Sequence, residues 1–469
     1  MSSAAAAAVQ SEPAPVVKHA RPKFTHSALL GGAGAVLLLA PLAFGAVEPW
    51  SIFALEACAI LLLAVWGTRQ WIHHQFDIVN NPVYLPMAAF FALAVLQWTT
   101  GASAYQHVTY THILLYAAYG MIAFVLTQSL RRSAQFEDLA KVVTGYGAVV
   151  AALAVLQGIA PNGKLLWIWP SAQGGWIYGS YVNHNHYAGL MELLTPFPIV
   201  LAVTRFSDGN RRLIVAGIAA LMAGSIFLSG SRGGMLAFCA EMIVLAVLLL
   251  RSRQGNWKNA LMLGGILLLV IGFLVWLGGN ELTHRLVTIH SEARSEITGG
   301  TRVAIDRDGL RMFLKRPLLG WGLGTFPVVY PQFRSFYTTF FVNQAHNDYL
   351  QLLVECGLAG FLIAIWFFVV VFRQAVSKLK NWTETPSGAL TAASLLGCVG
   401  ILVHSAIDFN LQIPANAAIF YVLCAIAASG PLQESQRKRV LRRRHLIVEP
   451  HPMQPAPYPA TEPASTPSS

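Results

Sequence analysis

Twelve apolar runs constrain the fold of this chain more than any other feature of its sequence. A helix needs roughly 20 residues to cross the hydrocarbon core of a bilayer, which is about 30 Å thick. Each run has nearly that length or more, at 27–47, 50–67, 82–100, 110–129, 140–159, 186–204, 213–229, 235–250, 259–278, 349–372, 389–407 and 413–430. Only 11% of the 469 residues are charged, whereas a soluble domain carries about 25%. We therefore predict an all-α polytopic membrane protein with about 12 transmembrane helices.

Basic residues precede the first apolar run, as they do in a secretory signal peptide. The run ends in PLAFGAVEPW, which has no clean small-x-small cleavage site, and a second run follows at once. We therefore interpret the first run as a retained transmembrane helix. The predicted organisation is a disordered cytoplasmic tail at 1–26, a transmembrane domain at 27–430, and a basic, then Pro-rich, cytoplasmic tail at 431–469.

The net charge of +11 is explained by membrane topology rather than by nucleic acid binding. With a cytoplasmic N-terminus, the predicted cytoplasmic segments hold most of the 32 Lys and Arg residues. The short outer loops hold only Lys164 and Arg232, and the other outer basic residues lie in one long loop, which weighs little in the charge rule. This asymmetry predicts that both termini are cytoplasmic, and we expect no nucleic acid partner.

The sequence gives no indication of a metal or a cofactor. The five cysteines lie within or beside apolar runs, without the spacing of metal ligands or of a disulfide framework. The chain contains no HExxH, CxxC, P-loop or Rossmann glycine motif. We predict that neither a metal nor a cofactor takes part.

Two outer loops are the predicted sites of polar chemistry, at 160–185 and 279–348. Within the longer loop, TRVAIDRDGLRMFLKRP has the pattern of a helix that lies at the membrane interface, with Val303, Leu310, Phe313 and Leu314 on one face. A Gly-punctuated turn, GWGLGTF, follows it. The aromatic residues after that turn suit either a belt at the headgroup level or a lid over a groove.

Arg232 lies in a Gly/Ser-rich turn, SGSRGG, between two predicted membrane helices. Its glycines allow backbone N–H groups to approach an anion, and a helix begins directly afterwards. A guanidinium binds phosphate in a bidentate manner. Arg232 is therefore a candidate anion ligand, and a snorkelling arginine in a short hairpin is the alternative.

Arg302 begins the predicted interfacial helix and is a second candidate for the same anion. Arg311, Lys315 and Arg316 add positive charge to this helix. The alternative for all of them is ordinary surface charge, and we prefer that alternative for Lys315 and Arg316.

The segment Asn183-His184-Asn185-His186-Tyr187 ends the shorter loop and opens a membrane helix. Two histidines at i and i+2 do not share a helix face, so the segment is a poor metal site. Asn183 or Asn185 fits a helix N-cap. Their amides fit hydrogen bonds to sugar hydroxyls equally well, and the sequence leaves both interpretations open.

His346 is the candidate general base. It precedes Asn347, a predicted N-cap, and so lies just ahead of the positive end of a helix dipole. That field disfavours imidazolium, so we expect an imidazole that is able to accept a proton near neutral pH. The alternative is a histidine that only caps or anchors the helix.

Two acidic residues lie close to this histidine, and a third, Asp408, lies on the same outer face of the predicted topology. Asp348 occupies the first helical turn, where the dipole favours a carboxylate. Glu355 is buried in an apolar run, where an ionisable residue is expected to be functional, either protonated or paired with an arginine. Asp408 lies where the last two helices turn, and the leading interpretation is a structural pair with a loop arginine.

Three segments in order resemble the O-antigen ligase family of bacterial inner-membrane glycan ligases and polymerases: SGSRGG after a membrane helix, TRVAIDRDGLRMFLKRPLLGWGLGTF, and AHNDYLQLLVECGLAGF. NHNHYAG is similar to the family's segment before the corresponding helix. The resemblance covers roughly residues 140–430. The family includes lipopolysaccharide O-antigen ligases, polysaccharide polymerases and protein O-oligosaccharyltransferases.

The resemblance implies a multi-pass, GT-C-like glycosyltransferase of the bacterial inner membrane, metal-independent, with a periplasmic active site. The donor would be a glycan on undecaprenyl diphosphate, with its diphosphate held by Arg232 and Arg302. Arg307 or Arg311 is the alternative to Arg302. His346 would deprotonate the acceptor hydroxyl, which attacks the anomeric carbon with inversion.

Supporting roles at this site would fall to a further set of residues, namely Asn185, Arg311, Asn347, Asp348 and Glu355. The acceptor hydroxyl would belong to lipid A-core, to a second lipid-linked glycan or to a protein, and the sequence does not choose among them. Membrane lipids are the remaining expected partner.

A membrane transporter is the alternative function, because some relatives in the same broad family have been labelled inorganic-carbon transporters. A transporter carries ionisable residues and broken helices near the bilayer midplane. Here the membrane-embedded acids are few, namely Glu56, Glu192, Glu241 and Glu355, and the polar clusters lie at the outer boundary. This distribution favours chemistry at the membrane surface.

Overall fold

The structure is a computed structural model that describes residues 23–74, 78–131, 133–170, 176–204, 206, 209–252, 257–278, 299–338 and 341–429. The predicted tails lie outside these residues, except that the first helix begins at Lys23. Residues 279–298 of the predicted long loop also lie outside them.

Each of the twelve predicted runs corresponds to a helix or to a pair of consecutive helices. The helices are α1 Lys23–Leu42, α2 Pro49–Ile72, α3 Tyr84–Thr99, α4 Gln106–Ser129, α5 Ser133–Ile159, α6 His184–Leu194, α7 Pro196–Val203, α8 Gly209–Leu228, α9 Arg232–Arg251, α10 Trp257–Gly278, α11 Gly299–Lys315, α12 Asp348–Lys378, α13 Pro386–His404 and α14 Pro414–Ala428. Short helical turns lie at Phe44–Ala46, Phe326–Val329, Tyr330–Gln332, Leu379–Asn381 and Asn410–Gln412. A small antiparallel pair joins β1 Lys164–Leu165 to β2 Trp169–Pro170.

Within the described residues, eight spans are long and apolar enough to cross a membrane, with α6 and α7 forming one of them. Four more apolar helices are shorter: Ser27–Leu42, Tyr84–Thr99, Leu261–Gly272 and Pro414–Ala428. The protein is an all-α polytopic membrane protein, as the apolar runs predicted.

The core of the bundle is built around α6 and α7. The span His184–Val203 is 100% buried by protein, whereas Pro49–Ile72 is only 22% buried and exposes its apolar side chains. Thr195-Pro196 separates α6 from α7, because proline has no N–H to continue the hydrogen-bond ladder. Helices α13 and α14 are also largely buried and pack against this central pair.

Helix α11 packs along α12 through one face only. Ile305 and Met312 are buried in a cluster with Val354 of α12. Val303 and Leu310, on the predicted apolar face, are exposed. That exposed apolar face is the one an interfacial helix turns towards lipid.

Helix α12 is interrupted at Gly357, which the apolar pattern did not predict. The φ of Gly357 is 62° and its ψ is −166°, so carbonyl and amide groups around it lose their intrahelical partners. The glycine-rich segment after α11 supplies new partners at 2.8–3.1 Å, in the bonds Trp321 N to Val354 O, Gly322 N to Glu355 O, Leu358 N to Pro317 O and Ala359 N to Leu318 O. Irregular backbone is tolerated at membrane depth where protein groups satisfy it in this way.

Replacing Gly357 with alanine is expected to destabilise the fold by roughly 2–4 kcal/mol. Its backbone angles belong to a region that is almost restricted to glycine, and a Cβ there would overlap the Leu318 carbonyl. The measurement is the apparent unfolding temperature of the purified protein in detergent. Gly264→Ala is the control, because a Cβ on that α10 glycine meets no atom within 4 Å. Equal unfolding temperatures for the two variants would contradict this account.

Candidate active site

Most of the predicted site residues lie at one end of the helix bundle. We call this the site end, where α6, α9 and α12 begin and α13 ends. The turn between α13 and α14 lies there and bonds to the start of α12 through Asp348 N and Ser405 O, 2.9 Å apart. The start of α9 contacts the end of α13, where a Cβ on Gly233 would overlap the His404 ring.

His346 lies at the centre of the site end. Its φ is 56°, a left-handed conformation that is uncommon for a residue with a side chain. Nδ1 of His346 is 3.3 Å from Oδ1 of Asp408, and its ring packs edge-on against Phe409 with ring centroids 4.8 Å apart. The His346 side chain is 14% exposed and that of Asp408 is 2% exposed. The imidazole is therefore held by a buried carboxylate and still reaches the surface.

Asp408 is an anionic partner for this imidazole. Burial alone would raise the pKa of Asp408, but its hydrogen bond to His346 and the charges of His346, His186 and His404 outweigh burial and hold that pKa below its usual range. An ionised carboxylate only accepts hydrogen bonds, so it selects the imidazole form with a proton on Nδ1. Nε2 of His346 then remains able to accept a proton.

The prediction that Asp408 pairs with a loop arginine was wrong. The bond to His346 joins residues 62 positions apart, and no local pattern signals it. The Phe409 amide also donates to Oδ1 of Asp408 at 2.9 Å, which fixes the carboxylate within its turn.

Asn347 and Asp348 fasten the start of α12. The Asn347 side chain accepts the Leu350 N–H at 3.1 Å, which confirms the predicted N-cap. The Asp348 carboxylate accepts bonds from Ser405 Oγ at 2.8 Å and from the amides of Leu411 (backbone) and Gln412 (side chain), both at 3.1 Å. These bonds tie the segment that carries His346 to the turn that carries Asp408.

Arg232 is the first residue of α9, and its side chain is exposed at the site end. Ser231 caps the helix by accepting the Gly234 N–H at 3.1 Å. The guanidinium therefore lies at the positive end of a helix dipole, where an anion is favoured.

Arg302 lies beside the turn that carries Asp408. Its Nη1 donates to the Ile407 carbonyl at 3.1 Å, while its Nε is buried with no hydrogen-bond partner. Arg302 is thus brought to the same region as His346.

Asp306, one helical turn after Arg302, is a residue of the site end that sequence reasoning did not single out. Burial raises the pKa of Asp306, although the charges of His346 and Arg302 and a hydrogen bond with Asn347 act in the opposite direction. Its spacing of four residues from Arg302 is the only sequence signal for this placement.

Arg311 and Glu355 do not join this group. Arg311 pairs with Asp308 at 3.3 Å, and Asp308 in turn accepts the Ser335 N–H at 2.9 Å. Glu355 accepts bonds from the amides of Gly324 and Phe326 and from the Gln351 side chain, at 2.8, 3.2 and 3.1 Å. The predicted alternative of a Glu355–arginine pair was wrong, because the carboxylate closes the glycine-rich turn instead.

Asn183, rather than Asn185, is the N-cap of α6, since its side chain accepts the Asn185 N–H at 2.8 Å. Asn185 is buried in the first turn. The His186 ring packs edge-on against Phe409, with ring centroids 4.7 Å apart. Phe409 therefore contacts both histidine rings.

A groove of about 1450 Å³ opens beside Phe409. Its lining includes Trp50, Trp169, Trp176, Asn183, His186 and Phe409. Within the described residues, no group of three or more His, Cys, Asp or Glu side chains is arranged to hold a metal ion.

The fold and the site together define a polytopic membrane protein with a histidine–aspartate pair and two arginines at one end of its helices. Residues 217–365 match the model of a family described as O-antigen ligase. This match supports an assignment to the O-antigen ligase family, the family that the motifs resemble. The matched segment contains Arg232, Arg302 and His346. No curated protein matches the chain.

Proposed function

We propose that this protein transfers a glycan from undecaprenyl diphosphate to an acceptor hydroxyl at the periplasmic face of the bacterial inner membrane. The observation that carries the proposal is the His346–Asp408 pair, 3.3 Å apart, at the same end of the bundle as Arg232 and Arg302. The match of residues 217–365 to the O-antigen ligase family model supports a ligase of the glycosyltransferase type.

The first chemical step is removal of the acceptor proton. Asp408 keeps the Nδ1 proton of His346 in place, so Nε2 takes the proton of the acceptor hydroxyl as the oxygen attacks the anomeric carbon. The imidazolium that forms is stabilised by the Asp408 carboxylate. Attack from the face opposite the diphosphate inverts the configuration at that carbon.

The second requirement is stabilisation of the leaving group. As the bond between the anomeric carbon and the diphosphate oxygen breaks, negative charge develops on the diphosphate. We assign Arg232 and Arg302 to bind it, because preorganised cations at a developing charge are a large source of catalysis. Arginine stays charged without a metal, so the proposed reaction is metal-independent.

The groove beside Phe409 supports a saccharide substrate. Aromatic faces such as those of Trp50 and Trp176 pack against the C–H faces of sugar rings, and the amide of Asn183 can both donate and accept. The volume of about 1450 Å³ exceeds the 300–1,000 Å³ usual for small-ligand pockets. A groove of this size and lining favours glycan transfer over transport of an inorganic ion.

Deleting the protein from its cell is expected to remove one glycoconjugate and to leave its undecaprenyl-diphosphate-linked glycan accumulated, because transfer consumes that donor. Lipopolysaccharide, polysaccharide and glycoprotein are compared on gels, and the lipid-linked glycans are extracted and quantified. The conjugate that disappears identifies the acceptor class.

The same lipid extract then serves as donor for the purified protein, with membranes of the deletion strain as the source of acceptor. Transfer that persists in EDTA supports the arginine-based mechanism. A requirement for Mg²⁺ would contradict it, and unchanged glycoconjugates without donor accumulation would contradict the proposed function itself.

A further inference from the structure

Beneath the Arg232 turn lies a buried pair formed by Glu192 of α6 and His404, the last residue of α13. Oε1 of Glu192 is 2.8 Å from Nδ1 of His404, and the two side chains are 0% and 1% exposed. Both residues lie outside the segment 217–365 that matches the family model. A buried charged or hydrogen-bonded pair of this kind is costly to break on one side only.

The pair packs directly against the two glycines that follow Arg232. A Cβ on Gly233 would overlap the His404 ring, and a Cβ on Gly234 would lie 3.1 Å from Oε1 of Glu192. These glycines are the second and third residues of α9. The His404 ring therefore sets the position of the helix start from which Arg232 projects.

The same histidine also fixes the turn on the other side of the site. Its backbone carbonyl accepts the N–H groups of Ile407 and Asp408, at 2.9 and 3.0 Å. Asp408 in turn holds Nδ1 of His346. His404 therefore contacts both turns of the site. Its ring packs against the turn that carries Arg232, and its backbone carbonyl binds the turn that carries Asp408.

We propose that His404, held by Glu192, is a positioning residue that sets the placement of Arg232 relative to His346. The inference rests on the proposed function, because it takes Arg232 as the ligand of the leaving group and His346 as the base of the same reaction. A shift of about 1 Å between reacting groups costs on the order of 100-fold in rate. The pair therefore acts mainly on the rate of transfer, because a small shift leaves the Arg232 charge at the start of α9, where it still attracts the diphosphate.

The test uses the full-length protein in nanodiscs, undecaprenyl-diphosphate-linked glycan from the deletion strain, and membranes of that strain as acceptor. His404→Phe keeps a ring and removes the bond to Glu192. We expect its kcat to fall by roughly 10–100-fold, with the KM for the donor within about threefold of wild type. Binding of undecaprenyl diphosphate alone should be retained.

Two substitutions at Glu192 distinguish the effect of its hydrogen bond to His404 from the effect of its side-chain volume. Glu192→Gln keeps an acceptor for the imidazole and should retain a rate within a few-fold of wild type. Glu192→Leu removes the acceptor and should match His404→Phe. The double variant Glu192→Leu/His404→Phe should be no slower than either single variant, because both changes break the same interaction. If His404→Phe does not fold, the transfer rates of Glu192→Gln and Glu192→Leu test the inference.

Tyr187→Phe is the matched control, since it removes a buried 2.8 Å bond to Ser225 from the same helix α6 without touching the Arg232 turn. Its rate should equal that of wild type. A wild-type rate in His404→Phe, an equal loss in Tyr187→Phe, or a multiplied loss in the double variant would overturn the inference. An inactive His346→Ala variant beside a fully active His404→Phe variant would overturn the inference and leave the proposed function standing, whereas a wild-type protein that transfers no glycan would remove the proposed function.

Discussion

Replacing His346 with alanine is expected to lower glycan transfer by about 10²–10⁴-fold, the usual contribution of a general base. The imidazole is held by a buried carboxylate and is itself 14% exposed, so it can reach an acceptor hydroxyl that the 2% exposed Asp408 cannot. Transfer is measured with donor from the deletion strain, and the lost glycoconjugate is followed in complemented cells. Binding of undecaprenyl diphosphate should be unchanged, because alanine leaves both arginines in place.

Asp408→Asn is the companion variant for this prediction. An asparagine amide can donate to Nδ1 as well as accept from it, so it no longer selects the form of His346 with a free Nε2 acceptor. Its loss of rate should approach that of His346→Ala. Tyr349→Phe is the control, because it removes a hydroxyl that donates to the Leu402 carbonyl at 2.6 Å and is not part of the His346–Asp408 pair. Full restoration of the glycoconjugate by His346→Ala would end the proposal that His346 is the base.

The architecture was predictable because the bilayer imposes a length and a composition on each helix. Every apolar run formed helix, including the short runs at 213–229 and 235–250. The N-cap at Asn347 was predictable for the same kind of reason, since it depends on a contact three residues away. Apolar run length and capping residues, which are local features of the sequence, therefore determine which segments form helices and where those helices begin.

The partners of the polar residues were not predictable, because they depend on how distant helices pack. Asp408 bonds to His346 across 62 positions, and Glu192 bonds to His404 across 212. The break at Gly357 was hidden for a related reason, because the apolar pattern continues through it and only the pairing with the glycine-rich segment reveals it. The periodicity of a sequence predicts which residues are buried, but it does not predict which buried groups contact one another.

Arg232→Ala is expected to weaken binding of undecaprenyl diphosphate by roughly 10–100-fold, because hydrogen bonds to charged groups contribute about 1.5–3 kcal/mol and each 1.4 kcal/mol is tenfold in affinity. Arg232 is exposed at the first position of α9, where its charge and the helix dipole act on the same anion. Binding is measured on the purified protein in nanodiscs with undecaprenyl diphosphate as ligand and undecaprenol as the uncharged comparison. Undecaprenol binding should not change, because its hydroxyl carries no charge for the arginine to bind.

Arg311→Ala is the matched control for Arg232. It also removes an exposed guanidinium from the segment that matches the family, but this guanidinium pairs with Asp308 at 3.3 Å. Binding should remain within about twofold of wild type, because this guanidinium is already engaged by Asp308 and is not assigned to the diphosphate. Arg232→Lys should fall between the two, because an ammonium keeps the charge and loses the bidentate geometry. Equal losses in Arg232→Ala and Arg311→Ala would mean that the diphosphate responds to overall positive charge, and the assignment of Arg232 as its ligand would fail.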